Sequence, residues 1–186
     1  MIRGAQIIPA RRSAYGPPIG AEERTVPVEA PVAIEINGIT YAVMMATPCD
    51  LEDFVTGFLL SEGLASAHEI GPVSLHPVQQ GEGLVARVNL PAERLEPIME
   101  RARRRLGDSS CGICGMESVE AALRPLPKIA AQSEVSPQVI RTALLAMREE
   151  QALGAPTAAT HAAAFAHEDG TFAVVREDVG RHNALD

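Results

Sequence analysis

The sequence predicts a mixed α/β fold in which helices and strands pack as layers. Three observations support this prediction: a hairpin pattern near the N-terminus, a helical apolar pattern directly after it, and a second pair of strand patterns near the C-terminus. The chain has 186 residues, of which 46% are hydrophobic and 22% are charged, as in ordinary soluble domains. A chain of this length can bury a core, so it needs no disulfide or metal to fold.

The first predicted element is a β-hairpin. Val32 to Ile36 alternates apolar and polar residues, Asn37-Gly38 follows, and Ile39 to Met45 is again apolar. Asn-Gly between two such runs is a strong hairpin signal, because both residues tolerate the positive φ angles of a tight turn. Residues 1–26 show little periodicity, and we expect them to form an irregular strap.

A helix is predicted to begin near Thr47-Pro48, where a cap residue and a first-turn proline precede three acidic residues. Its apolar residues recur with the spacing of one buried helical face, and Gly63 is a plausible stop. The face comprises Leu51, Phe54, Val55, Phe58 and Leu59.

The later segments alternate between strands and helices. We predict strands at Val73 to Val78 and Leu84 to Leu90, then a helix at Ala92 to Leu106 that Pro97 breaks or kinks. A loop at Gly107 to Gly115 and a short helix at Met116 to Leu123 follow, and then a helix from Ser136 with Val139, Ile140, Ala143, Leu144 and Met147 on one face. The last predicted elements are strands at Ala158 to His167 and Thr171 to Arg176 and a helix that begins between Asp178 and Asn183. The chain then divides into the strap at 1–26, a hairpin and helix region at 27–106, and a region at 107–186 that holds the loop and the start of a ligand-binding α/β unit.

Charge and composition exclude several classes of protein. The net charge is -8 and aromatic residues make up 3%, which disfavours binding to the nucleic-acid backbone and stacking on bases. No apolar stretch reaches the ~18 residues of a membrane span. The first 20 residues carry three arginines and lack a long apolar run, so we expect no signal peptide and a cytoplasmic protein.

The segment Cys111-Gly112-Ile113-Cys114 is the first candidate site. Structural zinc needs four ligands and usually a second pair, and there is no second pair here. Cys49, His161 and His182 could complete a site only if the fold happened to bring them together, so we expect no bound metal. A dithiol redox pair would follow a strand and open a long helix, which the pattern does not show.

A third possibility is a reactive thiol. The arginines between 101 and 105 and the start of the predicted helix at Met116 would both favour a thiolate. A buried pair of small apolar residues is the alternative without chemistry, and the residues alone leave these alternatives open.

The second candidate site lies between Arg176 and Asn183. Six of these eight residues have strongly polar side chains, at a predicted strand-to-helix junction where α/β sheets bind ligands. Arg181 and His182 suit a phosphate, while Glu177 or Asp178 would orient His182 or bind the edge of a base. The alternative is a capped helix with a surface ion-pair cluster.

Four segments of the chain together resemble the formate dehydrogenase accessory sulfurtransferase family, the FdhD-like proteins. They are Glu29 to Asn37 with its hairpin, Thr47 to Gly63, Ser110 to Gly115, and Thr160-His161-Ala162-Ala163 with Glu177 to Asp186. The match extends from about residue 25 to the last residue.

The resemblance implies a sulfur carrier. Family members take persulfide sulfur from a cysteine desulfurase onto the C-x-x-C loop and pass it to the molybdenum bis-molybdopterin guanine dinucleotide cofactor, which formate dehydrogenase needs. Cys111 would be the main carrier and Cys114 its neighbour or relay. The residues near the nucleotide would be His161, Glu177, Asp178, Arg181, His182 and Asn183.

The resemblance also implies a mixed sheet in a three-layer α/β/α arrangement like that of cytidine deaminases, with a small β-rich N-terminal part and a homodimer. The zinc deaminase reaction itself is disfavoured, because the chain lacks H-x-E followed by P-C-x-x-C. A non-enzymatic chaperone of the molybdenum cofactor stays an alternative.

This sequence departs from the family pattern at two places. Pro156 to Thr160 replaces a glycine-rich segment before His161. Members also continue beyond the motif that ends at Asp186, with further strands and helices that include residues touching the guanine nucleotide. We therefore expect the C-terminal elements to be missing, with an incomplete sheet, an extensive partner contact, or a truncated gene product with impaired cofactor binding.

Overall fold

The computed structural model describes residues 4–12, 19–78, 82–104, 128–130 and 134–186. Its strands are β1 (Ala5–Arg12), β2 (Ile19–Pro27), β3 (Ala30–Ile36), β4 (Ile39–Ala46), β5 (Ser74–Pro77), β6 (Leu84–Val88), β7 (His161–Ala166) and β8 (Phe172–Asp178). Its α-helices are α1 (Leu51–Ser61), α2 (Leu95–Arg104), α3 (Pro137–Ala146), α4 (Gly154–Thr157) and α5 (Arg181–Leu185), with short 3-10 helices at Ala67–Glu69, Ala92–Arg94 and Met147–Glu150. The predicted loop at 107–115 and helix at 116–123 lie outside the described residues.

The described part of the N-terminal segment, residues 4–12 and 19–26, consists almost entirely of strand, which corrects the predicted irregular strap there. Strands β1 and β2 form an antiparallel pair, with Ala5 opposite Pro27 and Ile8 opposite Arg24. The pair extends into solvent, and Ile7 is 67% exposed. Most of the described side chains of this pair contact solvent on both faces. The sequence therefore shows no apolar alternation that would mark the two strands.

The central sheet is mixed and has the strand order β4-β3-β6-β5. β3 pairs antiparallel with β4 and parallel with β6, while β5 pairs antiparallel with β6. The predicted hairpin is confirmed, with φ of 48° at Asn37 and 82° at Gly38. The Asn37 side chain also joins this turn to the end of β6: its Nδ2 donates to the Leu90 carbonyl at 2.9 Å, and its Oδ1 accepts from the Leu90 N–H at 2.7 Å.

Helix α1 packs its apolar face on this sheet. All five residues of the predicted face are buried, and they contact the inward side chains of β3 and β6 in one core. Phe58 also meets Tyr41 edge-to-face, with ring centroids 6.1 Å apart. The helix ends before Gly63, as predicted, where φ is 65°.

The start of α1 differs from the prediction. The residue before the helix is Asp50, in the left-handed region at φ 50°, and its side chain makes no capping hydrogen bond. Thr47 does not cap the helix either, because its hydroxyl and amide bond the far end of the chain, as described below.

Helix α2 continues through Pro97, which corrects the predicted break. A 3-10 turn at Ala92–Arg94 leads directly into the helix at Leu95. Pro97 therefore lies in the first turn, where a missing N–H and a fixed φ are tolerated. Ile98, one residue later, is 3% exposed and joins the core.

Helix α3 begins as predicted but does not bury the predicted face. The Ser136 hydroxyl accepts from the Val139 N–H at 3.2 Å, which is the expected N-cap. Ile140 is 51% exposed and Leu144 is 60% exposed. The helix lies beside the β7–β8 turn, where an added Cβ at Gly170 would lie 3.1 Å from Val139. Val139 and Ala143 of the predicted face make this contact and are half-buried, while Ile140 and Leu144 of the same face stay in solvent.

Strands β7 and β8 form a separate antiparallel pair, with His161 opposite Asp178, and α5 follows β8 directly. The predicted strands and the predicted last helix are therefore confirmed. None of the helices in the described part of the chain is long and apolar enough to cross a membrane.

Candidate functional site

The junction between β8 and α5 is organised around the carboxylate of Asp178. Its Oδ2 accepts from the Thr47 N–H at 2.7 Å. Its Oδ1 accepts from the Gly180 N–H at 2.7 Å and from Asn183 Nδ2 at 2.9 Å. Burial raises the pKa of Asp178, although these three hydrogen bonds favour the ionised carboxylate. The carboxylate is thus a buried acceptor that holds three donors in place.

Thr47 and Asn183, which lie far apart in the sequence, complete this network. The Thr47 hydroxyl accepts from the Val179 N–H at 3.2 Å. The Asn183 Nδ2 also donates to the Met45 carbonyl at 2.9 Å. Hydrogen bonds between residues more than 130 positions apart therefore join the end of β4 to the start of α5.

Glu177 points to a different part of the chain. Its Oε2 accepts from the Leu153 N–H at 2.8 Å, and its Oε1 accepts from the Gly154 N–H at 2.7 Å and the Thr160 hydroxyl at 3.2 Å. An added Cβ at Gly154 would lie only 2.9 Å from the same oxygen. Glu177 therefore fixes the start of α4 and the segment that leads into β7.

The basic residues of the site have freer side chains. His161 and Arg181 are exposed, and His182 is half-buried. His161 opens β7 opposite Asp178, and Arg181 and His182 open α5. The structure thus brings His161, Arg181 and His182 to the same end of the β7–β8 pair.

Two contacts pack this end of the β7–β8 pair against α1. Arg176 forms an ion pair with Asp53, and its Nε donates to Asp53 Oδ2 at 2.7 Å. The end of α5 also approaches α1 closely, since an added Cβ at Gly57 would lie 1.6 Å from the backbone oxygen of Asp186. Gly57 is thus required for this packing.

The sulfur residues are only partly placed. Cys111 and Cys114 lie outside the described residues, so the structure does not relate them to this site. Cys49 is half-buried, and its N–H donates to the Thr47 carbonyl at 2.7 Å. Among the described residues, no three His, Cys, Asp or Glu side chains are arranged to hold a metal ion.

Sequence reasoning did not find the role of Thr47 or of the Met45 carbonyl. The segment from Thr47 to Gly63 was one of the four family-like segments, and that was the available signal. Its threonine suggested a helix cap, because a local role is all that the neighbouring residues indicate.

The comparison with protein families shows which family the chain belongs to. The model of the FdhD/NarQ family matches residues 27–186. The chain belongs to the FdhD/NarQ family.

Relatives in the FdhD/NarQ family cover the whole chain. It is 40% identical over 186 residues to the sulfur carrier protein FdhD of Xanthomonas euvesicatoria, and it spans 66% of that protein. It is 42% identical over 159 residues to the protein of that name from Bordetella petrii, which is 85% of this chain and 56% of the relative. The chain thus spans two thirds or less of these relatives.

A crystal structure assigned to a formate dehydrogenase accessory protein of Desulfotalea psychrophila has the same fold. Its TM-score is 0.64 at 23% identity, and the match covers 97% of this chain and 63% of the other. The FdhD/NarQ match includes Cys111, Cys114 and every residue of the β8–α5 junction. Family membership therefore covers both candidate sites.

Proposed function

We propose that this FdhD/NarQ chain is a sulfurtransferase that carries sulfur for formate dehydrogenase. One observation carries the proposal: Cys111-Gly112-Ile113-Cys114 lies inside the span that matches a family whose curated relatives are named sulfur carrier proteins. The described residues add three basic side chains near the β8–α5 junction, His161, Arg181 and His182, and the proposal assigns them to the acceptor of the sulfur.

Loading of sulfur on Cys111 needs no outside electrons. The Cys111 thiolate attacks the outer sulfur of the persulfide on a cysteine desulfurase. The sulfur–sulfur bond of the donor breaks, and the desulfurase cysteine leaves as a thiolate. Cys111 now carries the persulfide.

Delivery of the sulfur as sulfide needs two electrons, and Cys114 supplies them in this proposal. Its thiolate attacks the inner sulfur of the Cys111 persulfide, which forms a Cys111–Cys114 disulfide and releases hydrosulfide after one proton is taken up. A cellular dithiol reductant then restores both thiols. In this series of reactions Cys111 is the sulfur carrier and Cys114 is the relay.

The acceptor in this proposal is the molybdenum bis-molybdopterin guanine dinucleotide cofactor, bound as a substrate. Its pyrophosphates match the three basic residues with accessible side chains, His161, Arg181 and His182. Glu177, Asp178 and Asn183 were expected to contact the same cofactor. Since their polar atoms bond the protein itself, we propose that they shape the site.

The proposal extends to the setting of the reaction. Its partners are a cysteine desulfurase, formate dehydrogenase and a second copy of the chain, in the cytoplasm. We propose the three-layer α/β/α fold of cytidine deaminases for the full arrangement, and the mixed sheet with α1 packed on it supports this proposal.

Mass spectrometry tests sulfur loading directly. The chain is incubated with a cysteine desulfurase and cysteine, and we expect a one-sulfur adduct on Cys111 that a reductant removes. Cys111→Ala should abolish the adduct, while the matched control Cys49→Ala should load normally. An adduct that is absent from the wild-type chain would contradict the proposal.

Activation of formate dehydrogenase separates the carrier from a cofactor chaperone. In cells that lack their own accessory protein, Cys111→Ala should give inactive enzyme. Cys114→Ala should load sulfur but fail to activate. Full activation by the variant that lacks both cysteines would favour a chaperone that binds the cofactor without moving sulfur.

A further inference from the structure

We propose that Thr47 is a positioning residue of the candidate cofactor site. Together with the Met45 carbonyl, Asp178 and Asn183 it forms a buried hydrogen-bonded set, which we call the Thr47 lock. The lock sets where α5 begins, and thereby where Arg181 and His182 stand. The ligand in this inference, a guanine nucleotide, rests on the proposed function. The Thr47 lock rests only on the geometry of the described residues.

The lock is buried and its donors are used. Thr47 is 0% exposed, Asp178 is 6% exposed and Asn183 is 7% exposed. Both hydrogens of the Asn183 amide are donated, one to the Met45 carbonyl and one to Asp178. A ligand could take these groups only by breaking bonds within the protein, so they act on the ligand through other residues.

The lock holds the turn between β8 and α5 on both sides. The Asp178 carboxylate binds the Gly180 N–H, and the Thr47 hydroxyl binds the Val179 N–H between them. An added Cβ at Gly180 would lie 3.0 Å from Asn183 Nδ2, so the turn packs tightly against the lock. Arg181 follows this turn directly, which is why its position depends on the lock.

The role of Thr47 is not that of a local cap. Its amide and hydroxyl bond residues 131 and 132 positions away, and no hydrogen bond from its side chain to α1 is present among the described residues. Serine keeps the hydroxyl at this position. Valine keeps the shape of the side chain and removes the acceptor for the Val179 N–H.

The experiment compares Thr47→Val with Thr47→Ser in the full chain. Amide hydrogen exchange reports the lock, and isothermal titration with guanosine diphosphate reports the site. We expect Thr47→Val to speed exchange at Val179 by about tenfold and to weaken binding by about fivefold, the size of one neutral hydrogen bond. Thr47→Ser should restore both.

A matched control removes a hydroxyl from another buried threonine. The Thr157 side chain is buried and donates to the Leu153 carbonyl at 2.6 Å. Thr157→Val should lower stability about as much as Thr47→Val and leave the affinity for guanosine diphosphate unchanged. A purely structural role for Thr47 predicts that the two variants behave alike.

The outcomes separate this inference from the proposed function. Unchanged exchange at Val179 in Thr47→Val would overturn the lock. Faster exchange with unchanged affinity would overturn the positioning role and leave the proposed function standing. If the wild-type chain binds no guanosine diphosphate, the proposed cofactor site itself is wrong and the positioning role falls with it.

Discussion

Replacing Asp178 by asparagine tests the energetics of the β8–α5 junction. The asparagine keeps one acceptor oxygen, which can serve the two donors at Gly180 and Asn183. Its new NH₂ group then faces the Thr47 N–H, where Asp178 Oδ2 now accepts at 2.7 Å. A buried N–H left without an acceptor costs about 1–3 kcal/mol, and the two remaining bonds lose their charge assistance. Relief of the buried charge offsets part of this cost, so we expect a loss of about 2–4 kcal/mol.

Urea unfolding followed by circular dichroism measures this loss at neutral pH. The matched control is Asp50→Asn, the same chemical change at an exposed residue with φ of 50°. Asparagine tolerates that conformation well, so the control should stay within about 0.5 kcal/mol of the wild type. A loss below about 0.5 kcal/mol for Asp178→Asn would refute the view that three bonds converge on this carboxylate.

The pH dependence of stability in the wild type and Asp178→Asn gives a second check. Burial raises the pKa of Asp178 above its usual value of 3.8, so the folded chain holds this proton more tightly than the unfolded chain. Protonation of Asp178 therefore stabilises the fold. This contribution to the free energy of unfolding is full below pH 3.8 and is lost as the pH rises through the raised pKa. The asparagine side chain of the variant does not titrate, so this part of the pH profile should be flat in Asp178→Asn.

Two further predictions concern the scaffold. Gly57→Ala should lower the melting temperature in a thermal scan, because the added Cβ would overlap the backbone of Asp186. Alanine by itself favours helices, so an unchanged or higher melting temperature would contradict that close approach. A hydrogen bond from Arg94 lowers the pKa of Glu69 to about 2 from 4.5, so the stability from this pair should be present above pH 4.5 and lost as the pH falls toward 2. Unfolding midpoints between about pH 2 and pH 4.5 should show this loss in the wild type and not in Glu69→Gln, and equal slopes for both would count against it.

Local signals predicted much of the fold. The Asn37-Gly38 turn, the buried face of α1, the Ser136 cap and the β7–β8 pair all depend on residues close together in sequence, and each is confirmed. The β1–β2 ribbon was missed because its exposed side chains carry no alternation.

The face predicted for α3 was right only in part. Apolar residues at helical spacing predict burial only if another element covers them. Ile140 and Leu144 have the right spacing but stay exposed, since α3 contacts the β7–β8 turn only through Val139 and Ala143 of the same face. Periodicity thus identified the helix and not its surroundings.

The sequence by itself determined the family, the C-x-x-C loop and the polar motif that ends at Asn183, because each of these is a run of neighbouring residues. Only the tertiary structure decided which motif residues face inward. Glu177, Asp178 and Asn183 bond backbone groups that lie up to 138 residues away, and no local pattern encodes those partners. A polar side chain has the same identity whether it binds a ligand or its own fold, and its hydrogen-bond partners become known only when the chain has folded.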